Sequence, residues 1–552
     1  MSWNWECIFL FVIPWLDQGI QTKKEKYFCS FLDSPVEPEN DEGTGRMAQA
    51  SRVSPCFVHA SLCELCRTTQ DSLRVRWRSQ AKFRQNRNGD WYNGRVKQSK
   101  SYFLVGIGGI GMQAVARLLR AVGQEVSGSD MADFEARPDL EADGIKVWVG
   151  HDAAHITKDI DEVIISVAIP ETNPEVQQAK KLNIPVKRRL EVVGELMQEK
   201  TGVAICGTHG KTTTTAMLTT ILQAAGRNPT ALIGAEVRTM KSNFVFGHGP
   251  AMVVEACEYG RSFMDLRPKI IVITNIEADH LDYYEDLEAI KEAFIEFIKL
   301  LPKDGVVIGN GDDANVREVV ERAKPPRVVW AGLKSDNDMH AHDLEFIAGS
   351  LYFSMNGARM HLHIPGRHNV LNAVLAWAAA RELKVDDKTV EYALHDDFKG
   401  AARRFEILGT AKGITFMDDY AHHPTEVVAL LEAARQYFAG RRLLVVFHPH
   451  QYSRTRLLLN DFAKSFGDAD LVVVAPIYAV RDTEEDKRAV NSEKLVEAIN
   501  AVHPNAKYVG DFSAIKEFML KTVQPGDVVI TMGAGQADVF GKELLEDLRN
   551  QK

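Results

Sequence analysis

Residues 205–217 read ICGTHGKTTTTAM, and this stretch decides the fold of the middle of the chain. Because an apolar run precedes it and a helical pattern follows, it predicts a strand, a glycine turn and a helix. A lysine in such a turn reaches phosphate oxygens, a threonine hydroxyl can ligate magnesium, and backbone N–H groups line an anion site. The common ATPase loop has a glycine where this chain has Ile205, which predicts a shorter loop.

Length, charge and cysteine content narrow the class of protein. A chain of 552 residues is too long for one core and predicts several domains. The formal charge is −9 although the first hundred residues are basic, and an acidic body argues against nucleic-acid binding. Beyond residue 100 the only cysteines are Cys206 and Cys257, which fits a reducing compartment. We expect a cytoplasmic monomer or homodimer that acts on small molecules, with no nucleic-acid or membrane partner.

The first 98 residues show no sustained helical or strand period. We predict that residues 1–98 form a poorly ordered extension. One alternative is that they precede the true start of the protein, for which Val96 is a candidate. Another is a zinc site, although one Cys-x-x-Cys without a second pair is a weak metal signal. Its ligands would be Cys56, His59, Cys63 and Cys66.

A second glycine turn lies in residues 102–112, YFLVGIGGIGM. Gly106, Gly108 and Gly111 have the G-x-G-x-x-G spacing after an apolar strand, and Asp130 ends the next predicted strand. Such glycines let phosphate oxygens approach the backbone N–H groups at a helix N-terminus. The motif predicts a Rossmann-like domain for a diphosphate-bearing nucleotide. Taken alone it would favour the alternative of an NAD-dependent dehydrogenase.

Further motifs follow GTHGKTT along the chain. They are VVEACEYGRSF, TNIEADHLDYY, PGRHNVLNAVLA, GAARRFEILG, DDYAHHPTE, HPHQYSRTR and MGAGQ. In this order they resemble the Mur ligase family, the ATP-dependent enzymes that build the peptide of bacterial cell-wall precursors, over residues 100–545. The resemblance implies an α/β chain with three domains: a Rossmann-like domain at 99–195, a P-loop central ATP-binding domain at 196–400 and a Rossmann-like C-terminal domain at 401–552.

The motif set implies the branch of this family that joins L-alanine to UDP-N-acetylmuramate, with ATP and Mg²⁺, through an acyl phosphate. The alternative within the family is the ligase that adds a preformed tripeptide to the same UDP-sugar. A non-catalytic nucleotide-binding module is the alternative from another class. Many family members have a carbamylated lysine at a position that would fall near Phe294 of this chain. The alanine-adding branch is similar in lacking that lysine, so no carbamate is implied.

The resemblance also implies the metal ligands. Thr212 and Glu255 would hold one magnesium ion, and His280 would bind a second that bridges the transferred phosphoryl group and the substrate carboxylate. Two cations between like-charged groups lower the repulsion that opposes the reaction. Glu258 and Asp279 are nearby carboxylates, and the alternative for each is a supporting contact to these ligands.

The remaining expected roles are carried over in the same way. ATP is expected to contact Gly207, Thr208, His209, Gly210, Lys211, Thr212, Thr213, His368, Asn369, Asn372, Arg404 and Asp419. The UDP-sugar is expected at Gly108, Gly109, Ile110, Gly111, Asp130 and Ser166. L-alanine is expected at Tyr420, His422 and Arg454. The expected catalytic residues are Lys211, His280, Arg404 and His422.

The stretch RLLVVFHPHQYSRTR in the C-terminal domain is predicted to be a strand followed by a loop. An arginine fork suits a free carboxylate, which supports Arg454 as the group that binds the amino acid. Many relatives have a further arginine where this chain has Gln451. The expected amino-acid site therefore has one positive charge fewer.

Overall fold

The computed structural model describes residues 99–347 and 350–550. The predictions for residues 1–98, including Val96 and the zinc alternative, lie outside these residues. Everything described belongs to one compact unit. In the part of the chain that is described, no helix has the length and apolar character that crossing a membrane requires.

The N-terminal sheet has five parallel strands in the order β3-β2-β1-β4-β5. The strands are β1 (Ser101–Val105), β2 (Glu125–Asp130), β3 (Lys146–Val149), β4 (Glu162–Ile165) and β5 (Val186–Arg188). The helices are α1 (Ile110–Ala121), α2 (Arg137–Ala142), α3 (Pro174–Lys181) and α4 (Arg189–Met197). The strand order reverses between β1 and β4, and ligands of open α/β sheets bind beyond the carboxyl ends of strands at such a point.

The central sheet has eight strands in the order β13-β12-β11-β10-β6-β9-β7-β8, and only β8 is antiparallel to its neighbour. The strands are β6 (Thr201–Cys206), β7 (Thr230–Val237), β8 (Ser242–Val245), β9 (Ala251–Glu255), β10 (Ile270–Ile273), β11 (Val306–Asn310), β12 (Val328–Gly332) and β13 (Met339–His340). Strand β10 is continuously apolar and buried, and β6 is buried from residue 202 onward, as expected for a parallel sheet covered on both faces.

Five helices accompany the central sheet: α5 (Lys211–Ala224), α6 (Leu287–Ile298), α7 (Ala314–Ala323), α8 (Arg367–Glu382) and α9 (Asp387–Tyr392). Short 3-10 and π segments span Tyr259–Asp265 and Ala393–Asp397. Helix α6 begins at Leu287 because the Asp286 side chain accepts a hydrogen bond from the N–H of Ala289. A small antiparallel sheet of β14 (His342–Ile347), β15 (Ser350–Met355) and β16 (Ala358–Leu362) completes this domain.

The C-terminal sheet has the order β17-β18-β22-β19-β20-β21, with β17 antiparallel and the others parallel. Its strands are β17 (Glu406–Ala411), β18 (Ile414–Asp419), β19 (Leu443–His448), β20 (Leu471–Val474), β21 (Ala506–Lys507) and β22 (Val528–Gly533). Its helices are α10 (Pro424–Tyr437), α11 (Tyr452–Leu457), α12 (Leu459–Lys464), α13 (Glu484–Ala489), α14 (Ser492–Asn500), α15 (Phe512–Thr522) and α16 (Ala537–Asn550). The predicted three-part α/β fold is confirmed, but the expected loop after β19 is limited to residues 449–451, because α11 begins at Tyr452.

Candidate active site

The loop between β6 and α5 is held in one shape by two glycines. Gly207 and Gly210 have φ angles of 128° and 80°, which residues other than glycine rarely adopt. A Cβ at Gly207 would lie 2.1 Å from Thr274 Oγ1, and one at Gly210 would lie 2.4 Å from Asn372 Oδ1. The loop is therefore wedged between the end of β10 and the first turns of α8. Ile205 lies inside β6, so the loop is short, as predicted.

Lys211 folds back over this loop. Its Nζ donates to the carbonyl oxygens of Gly207 at 2.5 Å and Thr208 at 2.9 Å, and to Glu258 Oε1 at 3.1 Å. Burial alone lowers the pKa of Lys211, but the Glu258 carboxylate outweighs it and raises the pKa above its ordinary value. The loop therefore carries a permanent positive charge where phosphate oxygens are expected.

The residues expected to bind metal lie around the same helix start. Thr212 Oγ1 donates to Glu255 Oε1 at 3.1 Å, and the N–H of Gly234 fixes Glu255 Oε2 at 2.7 Å. His280 Nε2 lies 3.7 Å from Glu258 Oε1, the oxygen that Lys211 also contacts. Glu258 Oε2 and His280 Nδ1 are buried without a hydrogen-bond partner. The structure thus brings both groups of expected metal ligands close to the start of α5.

The two carboxylates with open roles lie in different surroundings. Glu258 lies between Lys211 and His280, whereas Asp279 accepts from Arg454 Nη2 at 2.7 Å and Nε at 3.1 Å. Burial raises the pKa of Asp279, but Arg454 outweighs that effect and holds the pKa well below its ordinary value. Arg454 Nη1 also donates to His450 Nδ1 at 3.1 Å. The guanidinium expected to bind L-alanine is thus already paired with Asp279.

The residues expected at the adenosine belong to α8 and its start. Asn372 Nδ2 donates to Asn369 Oδ1 at 3.3 Å, Asn369 Nδ2 donates to the Pro365 carbonyl at 2.6 Å, and Thr214 Oγ1 donates to Asn372 Oδ1 at 3.2 Å. Asn372 therefore fastens α8 to the first turn of α5. Burial lowers the pKa of His368 to about 4, so its imidazole is neutral.

The C-terminal domain brings its expected residues to the end of β18. Both Asp419 oxygens accept backbone N–H groups, from Phe405 at 2.7 Å and Ala421 at 2.8 Å. Burial raises the pKa of Asp419 to about 6. The Arg404 guanidinium lies over the Tyr420 ring, 5.3 Å from its centroid. This domain therefore presents an arginine and an aromatic ring beside a buried carboxyl group.

His422 is a neutral imidazole with one ring nitrogen bonded to its own loop. Burial lowers its pKa to about 4, and its Nδ1–H donates to the Tyr420 carbonyl at 2.9 Å. The lone pair of the imidazole is therefore on Nε2. The rings of Tyr420 and His422 are 5.1 Å apart. This nitrogen can accept a hydrogen bond, although the lowered pKa makes the imidazole a weak base.

A cluster that we call the His209 network joins the phosphate loop to the C-terminal domain; it consists of His209, Glu277, His423 and Glu426. His209 Nδ1 donates to Glu426 Oε1 at 3.0 Å, and Nε2 lies 3.4 Å from Glu277 Oε2. The rings of His209 and His423 are 4.8 Å apart. Ligand-type atoms of His209, Glu277 and His423 lie within 4.8 Å of one another. Both ring nitrogens of His423 are already hydrogen-bonded, to the Ala278 carbonyl and to the Thr425 N–H. Because neither nitrogen is then available to a metal ion, we interpret the cluster as a network of ion pairs.

The His209 network predicts a pH-dependent stability. Burial alone lowers the pKa of His209, but Glu426 and Glu277 outweigh it and raise the pKa to about 9. Because the folded-state pKa is raised, the stabilisation is fully present below the unfolded value near 6.5 and is lost as pH rises through 9. We expect about 3 kcal/mol of unfolding free energy to disappear across this window. Denaturant titrations of wild type and His209→Gln at several pH values measure the difference, and parallel curves would contradict this assignment.

The N-terminal cleft lies beside the second glycine turn. Asp130 Oδ2 accepts from the N–H of Gly108 at 2.8 Å, and a Cβ at Gly111 would lie 2.8 Å from Nη1 of Arg189. A cavity of about 200 Å³ opens here. Its lining includes Gly109, Ile110, Gly111, Ser166, Arg188 and Arg189.

Sequence reasoning missed several of these residues. Arg189 begins α4 and has no motif that marks it, so only the fold places it against Gly111. Glu426 had a readable signal, since HPTE matches the spacing of a capping box at a helix start. Its contact with His209 spans 217 positions and has no local signature.

Three family models match the chain in succession: the Mur ligase family catalytic domain at residues 102–201, the Mur ligase middle domain at 205–380 and the Mur ligase glutamate ligase domain at 403–535. The UDP-N-acetylmuramate–L-alanine ligase of Caldicellulosiruptor bescii is 41% identical over 441 residues, which are 79% of this chain and 96% of that protein. The enzyme of the same name from Solibacter usitatus is 43% identical over 453 residues, 81% of this chain and 95% of that protein.

Solved structures agree with these sequence relationships. The crystal structure of UDP-N-acetylmuramate-alanine ligase from Thermotoga maritima has a TM-score of 0.69 at 28% identity, covering 82% of this chain and all of that one. A murein peptide ligase from Psychrobacter arcticus shares the fold, with a TM-score of 0.63 at 23% identity and the same coverage. On these grounds the chain belongs to the Mur ligase family.

Proposed function

We propose that this protein is the ATP-dependent ligase that joins L-alanine to UDP-N-acetylmuramate in peptidoglycan precursor synthesis. The observation that carries the proposal is the meeting of Lys211, Glu255 and His280 around the start of α5, in a chain 41% identical to L-alanine ligases along nearly their whole length. A dehydrogenase would have no use for Lys211, Glu255 and His280 brought together in this way.

The proposed reaction has two steps. A carboxylate oxygen of the sugar-borne acid attacks the γ-phosphorus of ATP, the bond to ADP breaks, and an acyl phosphate forms. The amino group of L-alanine then attacks the acyl carbon, phosphate leaves, and one proton is lost from nitrogen. Lys211 lies where it would hold the phosphate oxygens through both steps. We assign to His422, through its unprotonated Nε2, the role of accepting a hydrogen bond from the amino group that loses this proton.

The residues close to the start of α5 fit magnesium. Thr212 and Glu255 supply the oxygen donors that Mg²⁺ prefers, and Glu258 Oε2 and His280 Nδ1 are buried polar atoms without a partner. When bound, magnesium neutralises phosphate charge and brings two anions together. Glu255 is already oriented for this role by the N–H of Gly234.

We further propose binding positions for the other substrates. The cleft beside Gly111 would take the diphosphate of the UDP-sugar, with Arg189 as a cation that sequence motifs did not indicate. L-alanine would lie near Tyr420, His422 and Arg454. The adenosine would lie near His368, Asn369, Asn372 and Asp419. Cytoplasmic location, a monomeric or dimeric state and domain boundaries at 195 and 400 complete the proposal.

A phosphate-release assay on the purified chain tests this function. Release is expected only when ATP, magnesium, UDP-N-acetylmuramate and L-alanine are all present, because the acyl phosphate needs both the sugar acid and an acceptor. Glycine, L-serine and the murein tripeptide are tested as competing acceptors. Unchanged ADP formation without the sugar would refute the ligase, and faster turnover with the tripeptide would identify the salvage branch.

A further inference from the structure

One carboxylate forms hydrogen bonds both to the phosphate loop and within the C-terminal domain. Glu426 lies at the third position of α10, and its side chain is 14% exposed at the domain boundary. Its Oε2 accepts the N–H of His422 at 3.0 Å and of His423 at 3.3 Å. Its Oε1 faces the other way and accepts from His209 Nδ1 at 3.0 Å. The same side chain thus holds both the loop that carries His422 and the loop that carries Lys211.

The capping of α10 by Glu426 does not explain its contact with His209. A capping box needs a glutamate or glutamine at the third helix position, whose side chain bonds back to the N-cap residue. Glutamine would serve equally well for that purpose. The position has a carboxylate, and its second oxygen contacts a cationic imidazole in another domain. The charge therefore has a use beyond the cap.

His209 is itself held on the loop side. Its N–H donates to Asn275 Oδ1 at 2.8 Å, and its carbonyl accepts from Thr274 Oγ1 at 2.5 Å. On the same boundary, Thr425 Oγ1 donates to Glu277 Oε2 at 2.7 Å. We therefore expect a shift of the phosphate loop to displace the start of α10, because these hydrogen bonds connect the two.

We propose that Glu426 is a positioning residue that couples the phosphate loop to the amino-acid-binding loop through His209. This inference rests on the proposed ligase function. In this arrangement the C-terminal domain presents Tyr420 and His422 to the acyl phosphate only while Glu426 holds the loop that binds the phosphates. ATP and L-alanine are then bound to surfaces that one ion pair keeps in register.

The test compares Glu426→Gln, which keeps the cap and removes the charge, with Glu432→Gln, an exposed glutamate on the same helix. We expect Glu426→Gln to lower kcat for alanine ligation by about 10²-fold, as misplacement by about 1 Å commonly does. Glu432→Gln should match wild type. The melting temperature of Glu426→Gln should fall, because His209 loses a carboxylate that stabilises its charge, so kcat is compared at a temperature at which both variants and wild type are folded.

A double-mutant cycle with His209→Gln separates coupling from a purely structural role. If the two residues act as one unit, the double variant should lose no more kcat than either single variant. Multiplied losses, or a Glu426→Gln variant with wild-type kcat, would overturn the inference. If Glu426→Gln melts early, His209→Gln still tests the contact from the loop side. Wild-type chain that forms no alanine adduct would instead refute the ligase function itself.

Discussion

Replacing Lys211 with methionine is expected to lower turnover by about 10³-fold or more, equivalent to about 4 kcal/mol of transition-state stabilisation. Methionine fills similar space but removes the cation that contacts the Gly207 and Thr208 carbonyls and Glu258. Charge on the transferred phosphoryl group would then develop without its buried counter-charge. Phosphate release with all substrates present measures the effect.

Lys299→Met is the matched control, because Lys299 is an exposed lysine of the same domain and should behave as wild type. UDP-N-acetylmuramate should bind Lys211→Met normally, since its proposed cleft lies at Gly111 in the N-terminal domain. Turnover within a few-fold of wild type would show that Lys211 does not hold the phosphates.

Replacing Arg454 with methionine is expected to cost both stability and activity. Arg454 is only 6% exposed and neutralises Asp279, which is 7% exposed. Removing one partner of a buried ion pair leaves an uncompensated charge, at a typical cost of about 3–5 kcal/mol. We expect a drop of that size in the free energy of unfolding, measured by denaturant titration, together with loss of alanine ligation.

A second change separates these two effects. Asp279→Asn in the Arg454→Met background should recover much of the stability, because no unpaired charge remains. It should not recover alanine ligation if the guanidinium contacts the substrate carboxylate. Arg456→Met on the same helix removes a half-exposed pair with Asp486 and should cost about 1 kcal/mol or less. Recovered ligation in the double variant would limit Arg454 to a structural role.

Local patterns predicted the parts of the fold that are local in origin. The strand, glycine turn and helix around Lys211 follow from short-range periodicity and from backbone angles that favour glycine, and the structure has them in that order. The three-domain α/β architecture followed from the resemblance and is confirmed. The antiparallel sheet of β14, β15 and β16 was not predicted. Its strands pair with each other and do not extend the central sheet.

The pairings inside the site could not be derived from sequence. Arg454 and Asp279 are 175 positions apart, and each has several plausible partners when only its residue type is known. The arginine was assigned to a substrate carboxylate, and the structure adds a protein carboxylate on the same guanidinium. Tertiary packing decides which acidic side chain pairs with which cation, and these pairs cannot be predicted from composition or spacing.

Three adjacent strands of the central sheet, in the order β10-β6-β9, supply the central-domain side of the site from their carboxyl ends. The turns at their amino ends, near residues 200, 249 and 268, lie a full strand length away. Surface turns of this kind accept inserted residues more readily than packed elements do. Lineages of this enzyme therefore have room to acquire fused modules or lengthened connections on that edge while the chemistry on the opposite edge is inherited unchanged.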